Sequence, residues 1–156
     1  MAETYDEIHA QPFYITQYET YAEDLIDRLP DWQGRVLDMG CGTGIHTRAM
    51  AEIADWTIGI DVSYRLVRKA HRKLQDARGS VLVADAGGLP FTDATFDAAL
   101  SYGEPLSHMG DPDAAVAELG RVLRPGGRAV LSVDNEWNVR TVASPRRFLH
   151  AAASRG

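Results

Sequence analysis

Glycines at 40, 42 and 44 follow directly on the apolar run Val36-Leu37-Asp38-Met39. That order describes a buried strand turning at once into a helix. Glycine permits positive φ in such a turn and lets a ligand lie against bare backbone. The helix N-terminus behind the turn offers unpaired N–H groups to a polar group. Alone, the turn implies only a nucleotide-like ligand. Its spacing is G-x-G-x-G, whereas the dinucleotide fingerprint G-x-G-x-x-G would need glycine at 45, where Ile45 stands. No G-x-x-x-x-G-K-[ST] occurs, so a P-loop is not supported.

Two carboxylates accompany the turn. Asp61 stands 21 residues past Gly40, at the end of the next apolar run, Trp56 to Asp61. An acid there suits acceptance of both ribose hydroxyls; the structural alternative is an aspartate capping the helix that starts near Ser63. Asp85 closes the following run, Ser80 to Asp85, in the same way. It could accept an adenine amine while the Ala86 N–H reaches a ring nitrogen, or be an ordinary loop residue. His9, His71 and His150 form no metal-like spacing, and no metal site is expected. Cys41 reads as a small buried filler in the turn rather than a nucleophile, and His46 as structural or at the pocket edge.

Short apolar runs alternating with helical patterns position these groups, which is the mark of a parallel sheet with crossover helices. Strands are expected at 35–39, 56–61, 80–85, 96–101 and 128–133. A leading helix carries Tyr18, Ala22, Leu25 and Leu29 and closes at Pro30. Helix 43–54 is expected to align Ile45, Ala49 and Ile53. The helix capped by Ser63 should align Leu66, Ala70 and Leu74 and stop at Gly79. The helix opened by Asp111-Pro112 should turn Val116, Leu119 and Leu123 inward. Right-handed crossovers leave an open doubly wound sheet as the natural arrangement.

Composition bounds the rest. The chain has 156 residues, 45% of them hydrophobic and 24% charged, with a net charge of −6. Those values suit one soluble domain and argue against nucleic acid as the main partner. Arg65, Arg68, Lys69, Arg72 and Lys73 share one helix side and read as a solvated face, with an anionic partner as the alternative. No run approaches the roughly 20 apolar residues a membrane span needs. A single cysteine makes a reducing, cytoplasmic setting the default.

Together, Val36 to Gly44, Gly59-Ile60-Asp61, Ala84-Asp85-Ala86 and Leu89-Pro90-Phe91 resemble the class I S-adenosylmethionine-dependent methyltransferases, in the branch of ubiquinone- and menaquinone-biosynthesis-like and other small-molecule enzymes. Phe96-Asp97, Leu106-Ser107-His108 and Glu118 to Gly127 continue the match, over roughly residues 5 to 135. The resemblance implies a Rossmann-like α/β fold with strand order 3-2-1-4-5 and S-adenosylmethionine as cofactor, leaving as S-adenosylhomocysteine. Carried over, Asp38 and the turn Gly40, Cys41, Gly42 and Gly44 face the methionine part. Asp61 holds the ribose, Val62 packs on the adenine, and Asp85 and Ala86 read its edge. Ser101 offers its backbone near the amino group. Tyr5, Tyr14 and Tyr18 fall where such enzymes place a lid.

Methyl transfer is an in-line displacement, so alignment and exclusion of water dominate. A base matters only for an acceptor that must lose a proton. His108 and Glu104, on the loop after the fourth strand, are the catalytic candidates. The expected organisation is a single domain over 1–156: an N-terminal lid to residue 30, a core over 31–135 and a tail over 136–156. Strands six and seven of the family are expected to be missing: either the chain is a fragment of a longer protein, or the fifth strand's edge is left for a second copy, a partner or the folded-back tail to cover. A small-molecule methyl acceptor is the expected partner. The alternatives are a cofactor-binding module without turnover of its own and, disfavoured by the glycine spacing, an NAD-dependent oxidoreductase.

Overall fold

The computed structural model describes residues 33–133. The expected leading helix, its tyrosines and the tail lie outside them. Five parallel strands run in the order β3-β2-β1-β4-β5: β1 Arg35–Met39, β2 Trp56–Asp61, β3 Gly79–Val83, β4 Phe96–Ser101 and β5 Leu123–Leu131. Helix α1 (Ile45–Ile53) joins β1 to β2, α2 (Tyr64–Lys73) joins β2 to β3, and α3 (Pro112–Val122) leads into β5. Residues 84–95 cross from β3 to β4 with no helix, and a 3-10 turn, Pro105–His108, follows β4.

β1 is central because it can be buried on both faces, and Val36 to Met39 are all buried. The period-two alternation of a strand divides its side chains between two cores. Leu37 and Met39 join Ile60, Phe96, Ala99, Leu119 and Val122 on one face. Val36 joins Met50, Ala54, Ala98 and Leu100 on the other. The chain steps outward from β1 to β2 and β3, then returns across β1 to β4. That reversal opens a crevice at the carboxyl ends of the strands, the general ligand position of open α/β sheets.

Several boundaries and faces differ from the sequence expectation. α1 begins at Ile45 because Gly44, the residue before it, is left-handed at φ 81°. Its buried stripe is His46, Thr47, Met50 and Ala51, and Ile53 is exposed. In α2 the buried residues are Val67 and Ala70, with Leu74 just past the end; Leu66 turns toward the crevice. In α3 they are Ala115, Leu119 and Val122, while Val116 is exposed and Leu123 already belongs to β5. Each expected stripe contained the most apolar residues, but the sheet selects residues by their angle around the helix. β3 ends at Val83, so Asp85 sits two residues beyond it. β5 starts early because Arg124 to Gly127 form a bulge: Leu123 pairs with Phe96, and pairing resumes at Arg128 with Ala98.

Candidate functional site

The crevice is a cavity of about 990 Å³ walled by the glycine turn, the tips of β2 and β4, the loop after β3 and the start of α3. Its size and partly apolar wall suit a small organic ligand. At its centre Gly40 takes φ 82°, and a Cβ there would strike Pro105, with Cγ at 2.8 Å. Only bare backbone therefore lets the 3-10 turn close down on the glycine turn. Gly40 and Cys41 donate their N–H groups to the Ile60 carbonyl, at 2.9 and 2.8 Å, tying the turn to β2.

Asp61 bridges the glycine turn and the start of α2. Its Oδ2 accepts the Gly42 N–H at 3.0 Å and its Oδ1 accepts the Ser63 N–H at 2.8 Å, while it also lines the cavity. Each oxygen retains a second lone pair directed at neither backbone donor. Ser63 caps α2, accepting the Leu66 N–H. Val62, 70% exposed, projects beside Asp61 on the cavity wall. Asp85 and Ala86 line the cavity beyond the neighbouring strand β3. Asp85 Oδ1 accepts the Gly87 N–H at 2.9 Å, which shapes the loop so that the carboxylate stays at the rim.

Three other expected residues, Asp38, Gly44 and Ser101, are not on the wall. Asp38 is buried on the α1 side of the sheet, its Oδ2 accepting the Thr47 hydroxyl at 2.6 Å. Burial, with the Asp61 charge adding to it, pushes the Asp38 carboxyl up to about 7. Gly44 does not face the cavity; a Cβ there would meet the Ala70 Cβ at 2.7 Å, so this glycine lets α1 and α2 approach. Ser101 is also buried off the cavity, and its carbonyl accepts the Ser132 N–H at 2.9 Å. Cys41 is buried and lines the cavity; burial and the neighbouring Asp38 push its thiol up, so it stays protonated and is a poor nucleophile.

Glu104 and His108 both reach the cavity, at the start and end of the 3-10 turn. His46, in the first turn of α1, also lines the cavity. It is buried, meets Tyr102 edge to face at 5.5 Å, and burial pushes its imidazole down to about 4, leaving it neutral at ordinary pH. Tyr102, Ile45, Leu66 and Met109 also line the cavity; the sequence pattern assigns Ile45 and Leu66 to helix stripes and marks neither Tyr102 nor Met109 for the site. Position was the available signal for Tyr102, the first residue past a strand that ends at the crevice. On α2, Arg65, Arg68 and Arg72 are exposed, as expected of a solvated face, whereas Lys73 Nζ turns back to donate to Thr43 Oγ1 at 3.0 Å. Among the described residues no cluster of metal-ligating side chains occurs, and no helix is long and apolar enough to cross a membrane.

Comparison with known proteins agrees with this geometry. A family model described as a methyltransferase domain matches residues 36–127. The chain is 42% identical over 111 residues to the O-methyltransferase cnsE of Penicillium expansum, covering 67% of this chain and 40% of that protein. It is 38% identical over 99 residues to the demethylmenaquinone methyltransferase of Clavibacter sepedonicus, covering 62% and 40%. Among solved structures, the [4+2]-cyclase SpnF superimposes with a TM-score of 0.65 at 35% identity, over 72% of this chain and 43% of that one. The chain thus spans about two fifths of the length of these curated relatives.

Proposed function

The chain belongs to the methyltransferase-domain family, and from that premise we propose that it binds S-adenosylmethionine at the strand tips and transfers the methyl group to a small-molecule acceptor. The observation that carries this reading is the cavity of about 990 Å³ that the bare Gly40 turn, Asp61 and Asp85 line together. The donor set fits the cofactor's parts. Asp61's remaining lone pairs suit a ribose diol, Asp85 suits an adenine amine, and the exposed Val62 offers an apolar face for the ring. The Gly40–Cys41–Gly42 backbone lies where the methionine part would be held, with Asp38 supporting the turn from behind.

S-adenosylmethionine supplies an electrophilic methyl on a sulfonium, so its leaving group needs no proton. The protein's share is alignment and exclusion of water. Tyr102, His46 and Pro105 wall the cavity beside the glycine turn and leave room for an acceptor next to it. In this reading His108 takes a proton from a hydroxyl or acidic carbon, and Glu104 orients the acceptor or holds the imidazolium that results; both line the cavity. The neutral His46 adds no positive charge beside the sulfonium. The buried lone cysteine suits a reducing cytoplasm. The outer edge of β5, with exposed Leu131, suits cover by a second copy or a partner.

Calorimetry with S-adenosylhomocysteine tests the binding half of the proposal, and labelled cofactor with a panel of hydroxyl, amine and carbon-acid acceptors tests transfer. Absence of any uptake by folded chain sinks the reading. A second reading, a cofactor-binding module whose chemistry is not methyl transfer, is favoured by the 35% identity to a protein described as a [4+2]-cyclase. It predicts uptake with an inert panel.

A further inference from the structure

The hydroxyl of Ser132, one residue past β5, accepts two consecutive backbone donors of the loop after β4: Gly103 N–H and Glu104 N–H, each at 2.9 Å. The Ser132 N–H closes the same junction by donating to the Ser101 carbonyl at 2.9 Å. The two residues it holds are both left-handed, Gly103 at φ 86° and Glu104 at φ 67°. For glycine that conformation is easy, but for glutamate it is strained, and such strain persists only where the surroundings over-determine it. Glu104 is one of only two non-glycine residues with positive φ among those described, and it lies on the cavity wall.

The geometry points to Ser132 as a positioning residue for the acceptor end of the cavity, an assignment that rests on the functional reading above. From Glu104 the chain enters the 3-10 turn, with the Glu104 carbonyl accepting the Ser107 N–H at 3.1 Å and His108 ending the turn. Fixing the Glu104 N–H therefore fixes where the Glu104 carboxylate and the His108 ring enter the cavity. The other side of the turn is set by Pro105 seated on the bare Gly40. Ser132 and Gly40 act as two anchors for one short loop, one from the sheet's edge and one from its centre. The Asp61 and Asp85 side chains accept from Gly42, Ser63 and Gly87, which lie outside this loop. Ser132 lies beyond the stretch that the family model covers, which ends at 127.

The test is Ser132→Ala beside Ser132→Thr, which keeps the hydroxyl, in the 156-residue chain. Hydrogen exchange should quicken about ten-fold or more at the Gly103 and Glu104 amides in the alanine variant, stay unchanged across β1, and return toward the parent rate in the threonine variant. S-adenosylhomocysteine affinity should change by no more than about three-fold, while acceptor kcat/KM falls by about ten-fold or more. Unchanged protection at 103 and 104 would overturn the assignment. So would a loss of S-adenosylhomocysteine affinity as large as the loss of turnover, because that marks general loosening. If the parent binds S-adenosylhomocysteine but methylates nothing, the functional reading fails by itself. The exchange and affinity measurements then still decide whether Ser132 sets the loop.

Discussion

Two buried groups beside the cavity titrate in opposite senses, and their balance predicts an unusual pH profile of stability. Burial pushes the Asp38 carboxyl up to about 7 from a normal 3.8, and pushes the His46 imidazole down to about 4 from a normal 6.5. Between about pH 4 and 6.5 the folded chain holds a proton on Asp38 that the unfolded chain has lost. Over the same range it lacks a proton on His46 that the unfolded chain carries. The first makes stability fall as pH rises, the second makes it rise, each by at most about 1.4 kcal/mol per pH unit. Acting alone, Asp38 would remove about 4 kcal/mol from acid to neutral pH, and His46 would add about 3 kcal/mol. Together they nearly cancel up to pH 6.5, and only the end of the Asp38 titration remains above it. Asp38→Asn keeps an acceptor for the Thr47 hydroxyl and abolishes one side of the balance, so its stability should climb with pH relative to the parent. His46→Gln should do the reverse and decline with pH, and the double variant should run parallel to the parent up to pH 6.5. Urea unfolding followed by circular dichroism at half-unit steps from pH 4.5 to 7.5 reads these slopes as differences, so titrations common to all four chains drop out. Single variants whose profiles run parallel to the parent's would refute the reasoning.

Gly44→Ala forces a Cβ to within 2.7 Å of the Ala70 Cβ at φ 81°. It should cost about 2–4 kcal/mol in unfolding free energy, with little effect if the two helices were loosely packed. Asp61→Ala removes the acceptor of the Gly42 and Ser63 N–H groups as well as the proposed ribose contact. It should weaken S-adenosylhomocysteine binding by about ten-fold or more in calorimetry, a loss of at least about 1.4 kcal/mol; retained affinity argues against the ribose role. Arg121→Lys cannot reproduce a planar fork, so it should destabilise the chain nearly as much as Arg121→Met, by about 1–3 kcal/mol in denaturant melts. A lysine variant as stable as the parent would show that the fork is not what matters.

The strand order was legible because it follows from alternation and handedness, which are properties of residue type. That the glycine turn and Asp61 meet at the strand tips was legible because bare backbone and a strand-tip carboxylate each have few ordinary uses. The outcome for Asp38 and Gly44 differs because membership in a motif does not say which way a side chain points. Asp38 alternates with Leu37 and so faces α1, where Thr47 meets it. Gly44 is required by Ala70 on α2, a contact 26 residues away that no local pattern announces. His46 illustrates the same gap. On a helical wheel it is a polar residue in a first turn, yet the sheet buries it and Tyr102 covers it, which is what lowers its pKa.

The stretch Glu118 to Gly127 lies away from the strand tips, and the contacts of Arg121 explain why it accompanies a ligand-binding sequence. The crossover 84–95 carries Asp85 and Ala86 but contains no helix or strand, so its backbone groups need partners from elsewhere. Arg121 supplies them. Its Nε and Nη2 grip the two Glu118 oxygens at 2.7 and 2.8 Å, and its Nη1 donates to the Phe91 carbonyl and Asp93 Oδ1 at 2.8 Å each. Nη2 also donates to the Leu89 carbonyl, and Glu118 accepts the Leu89 N–H at 2.7 Å. These bonds hold the Glu118 carboxyl down to about 2, so the grip survives well into acid. The Arg121 carbonyl accepts the N–H of Ala94, the other strained non-glycine residue, at 3.0 Å. Three residues apart, Glu118 and Arg121 share one face of α3, and that face closes the crossover against the helix. The wall that carries Asp85 and Ala86 is therefore braced by α3, and the Leu89-Pro90-Phe91 and Glu118-to-Arg121 segments are two halves of one clamp.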